Sequence, residues 1–282
     1  MNRVVKYTSN MQFMVKKKIW LRIRNNKERD FVSKVIAYIG TALLSLTMIL
    51  SGCGSQTAPK TGEQSSDVVT PAVQPVVAPV YKRTEVISSP DVAKQLLIEG
   101  NGRFLSGKPL SKDLSSTRRI DLMKNGQHPF AVIVSCSDSR VPPELLLDQA
   151  LGDLFVIRVA GNVITPVELG SVEYAVEHLK APLVVVLGHE ECGAVTAAVQ
   201  GGEAPGSIAA IIDKIKPAVD GAKNLGLTGK DLIEKSADLN IQNAMVDISG
   251  SPIIKEGVHS KQVKVLGAKY DQDEGALKFI NE

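Results

Sequence analysis

The sequence predicts an open α/β fold with a mainly parallel sheet. Three runs of four or five residues, 130–134, 154–157 and 183–187, are apolar without interruption. Strands that are apolar on both faces are typical of parallel sheets covered by helices on each side. A helical pattern lies at 167–179, between the second and third runs, and another begins at Cys192. This alternation of strands with helices indicates an α/β sheet.

The remaining elements follow from local signals. Ser89 and Pro90 mark the start of a helix, because serine caps the amino end of a helix and proline fits its first turn. The further predicted elements are a helix from Ser89 to about Phe104, a helix at 116–124, a helix at 192–200, mostly helical chain at 207–249 with a break at 226–229, and a terminal hairpin of 263–268 and 276–280.

The composition is that of a globular chain. Of its 282 residues, 44% are hydrophobic and 22% are charged, while aromatic residues make up only 4%. So few aromatics argue against a surface that stacks single-stranded nucleic acid. The net charge of +3 divides unevenly: residues 1–52 hold ten Lys and Arg against two acidic residues, which leaves 23 basic against 28 acidic residues afterwards. We therefore expect no nucleic-acid partner.

Residues 1–52 are predicted to be a lipoprotein signal peptide. A basic stretch precedes an uncharged apolar run at 35–50, which is short for a membrane span and suited to a signal peptide. The run ends in Leu50-Ser51-Gly52-Cys53, which resembles the lipobox of bacterial lipoproteins, whose cysteine is acylated. The alternative is an uncleaved anchor with an incidental cysteine. In either case we expect an exported protein held at the cell envelope. If the segment is a lipoprotein signal peptide, the anchor is lipid on Cys53.

The region after Cys53 divides by composition. Residues 53–88 are rich in Ser, Thr, Pro, Gln and Val without helical periodicity, which is typical of a flexible tether. The predicted organisation is a signal peptide at 1–52, a tether at 53–88 and a folded domain at 89–282, which the motifs below mark as catalytic.

Two of the three cysteines and one of the four histidines fall where predicted strands end. Cys136 follows the first strand, and His189 and Cys192 follow the third. Ligands bind beyond the carboxyl ends of the strands in such a sheet. Two thiolates and one imidazole leave one position of a zinc tetrahedron open, which is typical of catalytic zinc. The alternative is two buried apolar cysteines and a core histidine.

A carboxylate and a guanidinium accompany the first cysteine. Asp138 is near enough to Cys136 to reach a metal-bound water, and Arg140 can hold that carboxylate ionised and oriented. A cysteine-based phosphatase loop would need arginine six positions after the cysteine, where this chain has Pro142. The phosphatase interpretation is therefore excluded.

Three segments together resemble the β-class carbonic anhydrases: Cys136-Ser137-Asp138-Ser139-Arg140, residues 152–162, and Gly188-His189-x-x-Cys192-Gly193. The resemblance runs from about residue 93 to the final hairpin. It implies four parallel strands plus an antiparallel edge strand, flanked by helices. It also implies one zinc ion per subunit, bound by Cys136, His189 and Cys192.

The same resemblance implies the reaction, which is reversible hydration of CO2 to bicarbonate and a proton by zinc-bound hydroxide. Asp138 and Arg140 would form the catalytic dyad, and Gln127, Phe155 and Tyr174 would line the substrate pocket. A homodimer that can pair into tetramers is implied, with the first helix clasping the partner subunit. The chain departs from the family pattern at Glu190-Glu191, inside the metal motif. Whether the aspartate instead binds zinc and closes the site stays open.

Two other functions stay open at this point. One is hydrolysis of COS or CS2 at the same zinc site. The other is a catalytically silent zinc-binding lipoprotein, against which the intact pair of Asp138 and Arg140 argues.

Overall fold

The computed structural model describes residues 80–280, in which five strands form one sheet with the order β2-β1-β3-β4-β5. The first four of these pair in parallel, and β5 pairs antiparallel to β4 at the edge. The strands are β1 (Ala131–Ser135), β2 (Leu154–Arg158), β3 (Leu183–His189), β4 (Lys264–Tyr270) and β5 (Leu277–Ile280). This confirms the predicted fold class. Cys53 and the signal peptide lie outside the described residues.

Helices cover both faces of the sheet. They are α1 (Pro90–Leu105), α2 (Ser116–Asn125), α3 (Pro143–Leu146), α4 (Pro166–Glu177), α5 (Gly193–Gln200), α6 (Ile208–Asn224), α7 (Gly229–Ser249) and α8 (Pro252–His259), with a short 3-10 turn at Ala160–Asn162. Two of them, α3 and α8, have no counterpart in the sequence prediction. None of the helices within residues 80–280 combines the length and the apolarity needed to cross a membrane.

The central strands bury side chains on both faces, as their apolar runs predict. Every residue of β1 and β3 is buried. Alternate side chains of β1 enter different cores: Val132 and Val134 pack with α4, α7 and α8, whereas Ala131 and Ile133 pack with α1 and α3. Burial on both faces fixes the register, because a slip of one residue would exchange the two sets of side chains.

The order of the strands creates a switch point between β1 and β3. The chain passes from β1 to β2 on one side and then crosses to β3 on the other side of β1. A crevice forms at the carboxyl ends of strands where the connections diverge in this way, and it is the usual ligand site of open α/β sheets. Cys136 and His189 stand at these two strand ends.

The last part of the segment assigned to the tether contacts the domain. The backbone of Tyr81 pairs with the chain around Lys112, and Nε of Arg83 lies 3.3 Å from Oδ1 of Asp153. Asp153 is buried, so this ion pair satisfies a carboxylate that is inaccessible to water. Residues 80–88 therefore lie along the domain ahead of α1.

Candidate metal centre

Three side chains converge on one point at the switch point. One ligand atom each from Cys136, His189 and Cys192 lies within 4.8 Å of the others, and all three residues are buried. Cys136 directly follows β1, His189 is the last residue of β3, and Cys192 caps the amino end of α5. The strand ends and the helix start thus fix the three positions. The structure brings together the three predicted metal ligands.

The ionisations of the two thiols are coupled. Their mutual hydrogen bond lowers the pKa of Cys136 and raises the pKa of Cys192, so one sulfur ionises at the expense of the other. Two adjacent buried thiolates require a positive charge beside them. The sulfur pair therefore suits a soft divalent cation, which two thiolates neutralise.

The histidine contributes an unused donor atom. Nε2 of His189 is buried and has no hydrogen-bond partner within the described residues. Buried polar atoms normally have a partner, because burying one without compensation is costly. A metal ion bound between the two sulfurs and Nε2 would supply that partner, so the three residues fit a metal.

Asp138 stands beside this cluster and is held by Arg140. Arg140 donates from Nε to Oδ1 of Asp138 at 3.0 Å, from Nη2 to Oδ2 at 2.8 Å and from its backbone N to Oδ1 at 2.9 Å. These hydrogen bonds lower the pKa of Asp138 to about 2. Oδ2 lies 4.0 Å from Nε2 of His189, but Asp138 is not one of the three clustered ligand residues. The described site therefore has the open arrangement, in which the aspartate pairs with arginine.

Residues far apart in sequence fix the loop that carries Cys136. Arg158 at the end of β2 donates to the carbonyl oxygens of Cys136 at 3.0 Å and Asp138 at 2.6 Å. Gly161, with φ of 70°, donates its backbone N–H to Sγ of Cys136 at 3.3 Å. Asn240 of α7 donates to the Gly161 carbonyl at 2.7 Å. Neither Arg158 nor Asn240 has a role that its sequence pattern predicts, because the partners of both are backbone carbonyl groups.

The predicted pocket residues lie elsewhere in the same chain. Phe155 and Tyr174 contact each other, with ring centroids 6.3 Å apart. Phe155 pairs in register with Val132, four residues before Cys136, which places it about 13 Å back along the strands. Gln127 precedes β1 altogether and is exposed. The structure therefore does not bring these three residues to the cluster of their own chain.

The two glutamates inside the metal motif form the turn between its ligands. The backbone N of Glu190 donates to the Tyr270 carbonyl at 3.2 Å, and that of Glu191 donates to Oε1 of Glu234 at 3.1 Å. Glu191 is left-handed, with φ of 49°, which is an uncommon conformation for a residue other than glycine. Both glutamates lie outside the group of clustered ligands. Their backbone contacts hold the turn that spaces His189 from Cys192.

A group of soft donors beside a carboxylate of fixed direction is the arrangement expected of a metal-dependent enzyme of α/β fold. Three protein ligands leave a coordination position for water or substrate, and the carboxylate is close enough to orient what binds there.

Comparison with known proteins gives the family. A carbonic anhydrase family model matches residues 131–277. The chain is 40% identical to a carbonic anhydrase of Mycolicibacterium smegmatis over 196 residues, covering 68% of this chain and 94% of the relative. It is 38% identical to carbonic anhydrase 2 of Mycobacterium tuberculosis over 192 residues, covering 67% and 91%. It also resembles a structure of the tetrameric β-carbonic anhydrases of Sordaria macrospora, with a TM-score of 0.56 and 26% identity over 59% of this chain and 88% of that one.

This chain belongs to the β-carbonic anhydrases, and its activity is the reversible hydration of CO2 to bicarbonate. The family resemblance drawn from the sequence is confirmed. The two alternatives, COS or CS2 hydrolysis and a silent zinc-binding lipoprotein, gain no support from the comparisons.

Proposed function

We propose that Cys136, His189 and Cys192 hold one zinc ion per subunit and that CO2 is hydrated there. Support comes from the donor set, which zinc prefers, and above all from the buried Nε2 of His189, which has no hydrogen-bond partner among residues 80–280. When bound, zinc supplies a water activated for attack on the carbon of CO2.

Asp138 and Arg140 orient the reacting water. The carboxylate, 4.0 Å from Nε2 of His189, would be near enough to accept a hydrogen bond from a water bound at the cluster. Arg140 donates to both carboxylate oxygens and so fixes the direction of the carboxylate. Because the pKa of Asp138 is about 2, the group remains an acceptor at neutral pH. Its contribution is orientation of the water, since it is too weak a base to remove a proton.

A stopped-flow CO2-hydration assay on the purified protein, combined with zinc analysis, tests this function. We expect about one zinc per chain and a hydration activity that Asp138→Ala lowers without loss of zinc. Zinc bound without hydration activity would contradict the proposal.

The protein acts as a homodimer, and the substrate pocket of each subunit is completed by its partner. Support comes from the positions of Phe155 and Tyr174, which lie far from their own cluster on or beside β2, one of the two edge strands of the sheet. Tyr174 is half exposed and thus available to a second copy. The structure described as tetrameric in Sordaria macrospora is consistent with this assembly, and two such dimers can pair into a tetramer.

Mixed dimers test whether the pocket is shared. A Cys192→Ser subunit has no complete metal site, and a Tyr174→Ala subunit has a complete metal site but a defective pocket lining. In a mixed dimer the first subunit supplies its intact tyrosine to the second, so we expect activity above that of either variant alone. The matched control replaces the first subunit with the double variant Cys192→Ser/Tyr174→Ala and should give no recovery. Equal activity in both mixtures would place the tyrosine at the site of its own chain.

The enzyme is anchored at the cell envelope through lipid on Cys53. Support comes from the sequence alone, in the apolar run and the lipobox-like residues before this cysteine. Radiolabelled palmitate should be incorporated into the wild-type protein in bacterial cells and not into Cys53→Ser. Label in both proteins, or in neither, would contradict the anchor.

A further inference from the structure

The loop after β1 carries both a metal ligand and the carboxylate of the dyad, although the chain leaves the sheet at this point. The backbone N of Val159 donates to the Ser135 carbonyl at 3.0 Å, which continues the pairing of β1 with β2 to the last residue of β1. Residues 136–140, which follow, belong to no helix or strand. The relative position of Cys136 and Asp138 therefore depends on contacts other than those of the sheet.

One side chain bridges these two residues. Arg158, the last residue of β2, pairs in register with Ser135. Its Nε donates to the carbonyl oxygen of Cys136 at 3.0 Å, and its Nη2 donates to that of Asp138 at 2.6 Å. Both donors belong to one planar, rigid guanidinium. The bridge therefore fixes the peptide that follows the metal ligand relative to the peptide that follows the aspartate.

The other donors to these two carbonyls are local. Within residues 80–280, the Cys136 carbonyl otherwise accepts from the hydroxyl of the preceding residue, Ser135, at 3.5 Å, which is long for a hydrogen bond. The Asp138 carbonyl also accepts from the backbone N of Val141 at 3.0 Å, inside the same stretch of chain. Neither contact reaches another strand. Arg158 therefore supplies the tie between both carbonyls and β2.

Arg158 and Arg140 act on different parts of the loop. Arg140 donates to the carboxylate oxygens of Asp138, so its loss frees one side chain. Arg158 donates to the backbone of both Asp138 and Cys136, so its loss also frees the chain that positions the Cys136 thiol. Groups that hold metal ligands in place commonly affect metal affinity as well as activity. Metal affinity therefore distinguishes the two arginines.

We propose that Arg158 is a positioning residue that sets the Cys136 thiolate and the Asp138 carboxylate relative to each other. It acts through the two backbone carbonyls and keeps the ligand and the water-orienting group at one fixed separation. This role rests on the proposed zinc site.

Two substitutions test the bridge. Arg158→Met keeps an unbranched side chain and removes every donor, and we expect its zinc affinity, measured by competition with a chelator, to fall about 10- to 100-fold. The visible spectrum of the cobalt-substituted protein, which reports ligand geometry, should change as well. Arg158→Lys keeps the charge but lacks the rigid pair of donors, so it should recover little of the affinity. Because Arg158 is exposed, circular dichroism of both metal-free variants should match the wild type.

The matched control is Arg119→Met. Arg119 of α2 also donates to a backbone carbonyl, that of Leu114, but α2 precedes the amino end of β1, away from the cluster. This variant should keep the wild-type affinity and cobalt spectrum. Wild-type values in Arg158→Met, full recovery with lysine, or an equal loss in the control would overturn the proposal, and so would unfolding of both metal-free Arg158 variants. A wild-type protein that binds no zinc would instead remove the metal site itself, and the role of Arg158 with it.

Discussion

Replacing Arg140 tests whether the dyad works by orientation. Arg140→Ala removes the two side-chain hydrogen bonds that fix both oxygens of Asp138, at 3.0 and 2.8 Å. Oδ2 of Asp138 lies 4.0 Å from Nε2 of His189 in the structure. Without Arg140 the carboxylate is free to rotate, and a small rotation moves it out of the position from which it orients water. A misplacement of about 1 Å can cost about 10²-fold in rate. We therefore expect kcat/KM for CO2 hydration to fall about 10²-fold while the zinc content stays at the wild-type level.

The pH dependence separates orientation from protonation. Without Arg140 the pKa of Asp138 should rise from about 2 toward the usual value of about 3.9, which still leaves it ionised at neutral pH. The pH–rate profile of the variant between about 6 and 9 should therefore be lower but unchanged in shape. Arg140→Lys restores the charge without the bidentate hydrogen bonds and should recover little of the hydration activity. Wild-type activity in Arg140→Ala, or full recovery with lysine, would refute the orientation mechanism.

Three further predictions concern stability. Burial alone would raise the pKa of Asp148, but hydrogen bonds from Lys112 and Arg103 outweigh burial and lower that pKa. The ionised Asp148 therefore stabilises the fold above about pH 4, and this stabilisation is lost as the pH falls through the pKa of Asp148 in the folded state. Asp148→Ala should cost about 3 kcal/mol in chemical denaturation, equally at pH 5 and pH 8, and a loss below 1 kcal/mol would contradict this. Strong chelation should lower Tm while a reductant alone does not, because both described cysteines are free thiols assigned to metal; the reverse result would break that assignment. In Gly188→Ala the new Cβ would lie 2.6 Å from the Ile241 side chain, at a cost of about 1–3 kcal/mol; a wild-type denaturation midpoint in this variant would contradict the prediction.

The sequence was most informative where a single physical pattern dominates. The runs at 130–134 and 183–187 are uninterrupted apolar segments that are short for a helix and suit strands buried on both faces, so β1 and β3 could be predicted. The metal ligands could be predicted because the chain has few cysteines and histidines and because three of these residues follow strands. Helix α8 was missed although Ser251-Pro252 repeats the start signal of Ser89-Pro90, and Ser251 does accept from the backbone of Ile254.

The contacts that support the site could not be predicted from sequence patterns. Gln272 reaches His189 across 83 residues, and Asn240 reaches Gly161 across 79. These contacts depend on the packing of the terminal hairpin and α7 against the switch point. Neutral amides have no distinctive spacing, so only the folded chain identifies them. The pocket residues were placed by family resemblance, which does not say which subunit they serve.

Charge balance at the cluster leads to a last prediction, on proton release. Near neutral pH the hydrogen-bonded thiols carry one negative charge between them, because ionisation of Cys136 raises the pKa of Cys192. Binding of zinc as a pair of thiolates must then expel the remaining proton of the pair. We expect about one proton released per zinc, and thus an affinity that rises about tenfold per pH unit near neutrality. Titration calorimetry in two buffers of different ionisation enthalpy measures this number. Release of two protons would mean that both thiols are protonated before zinc binds, and release of none would mean that the sulfurs do not share a proton.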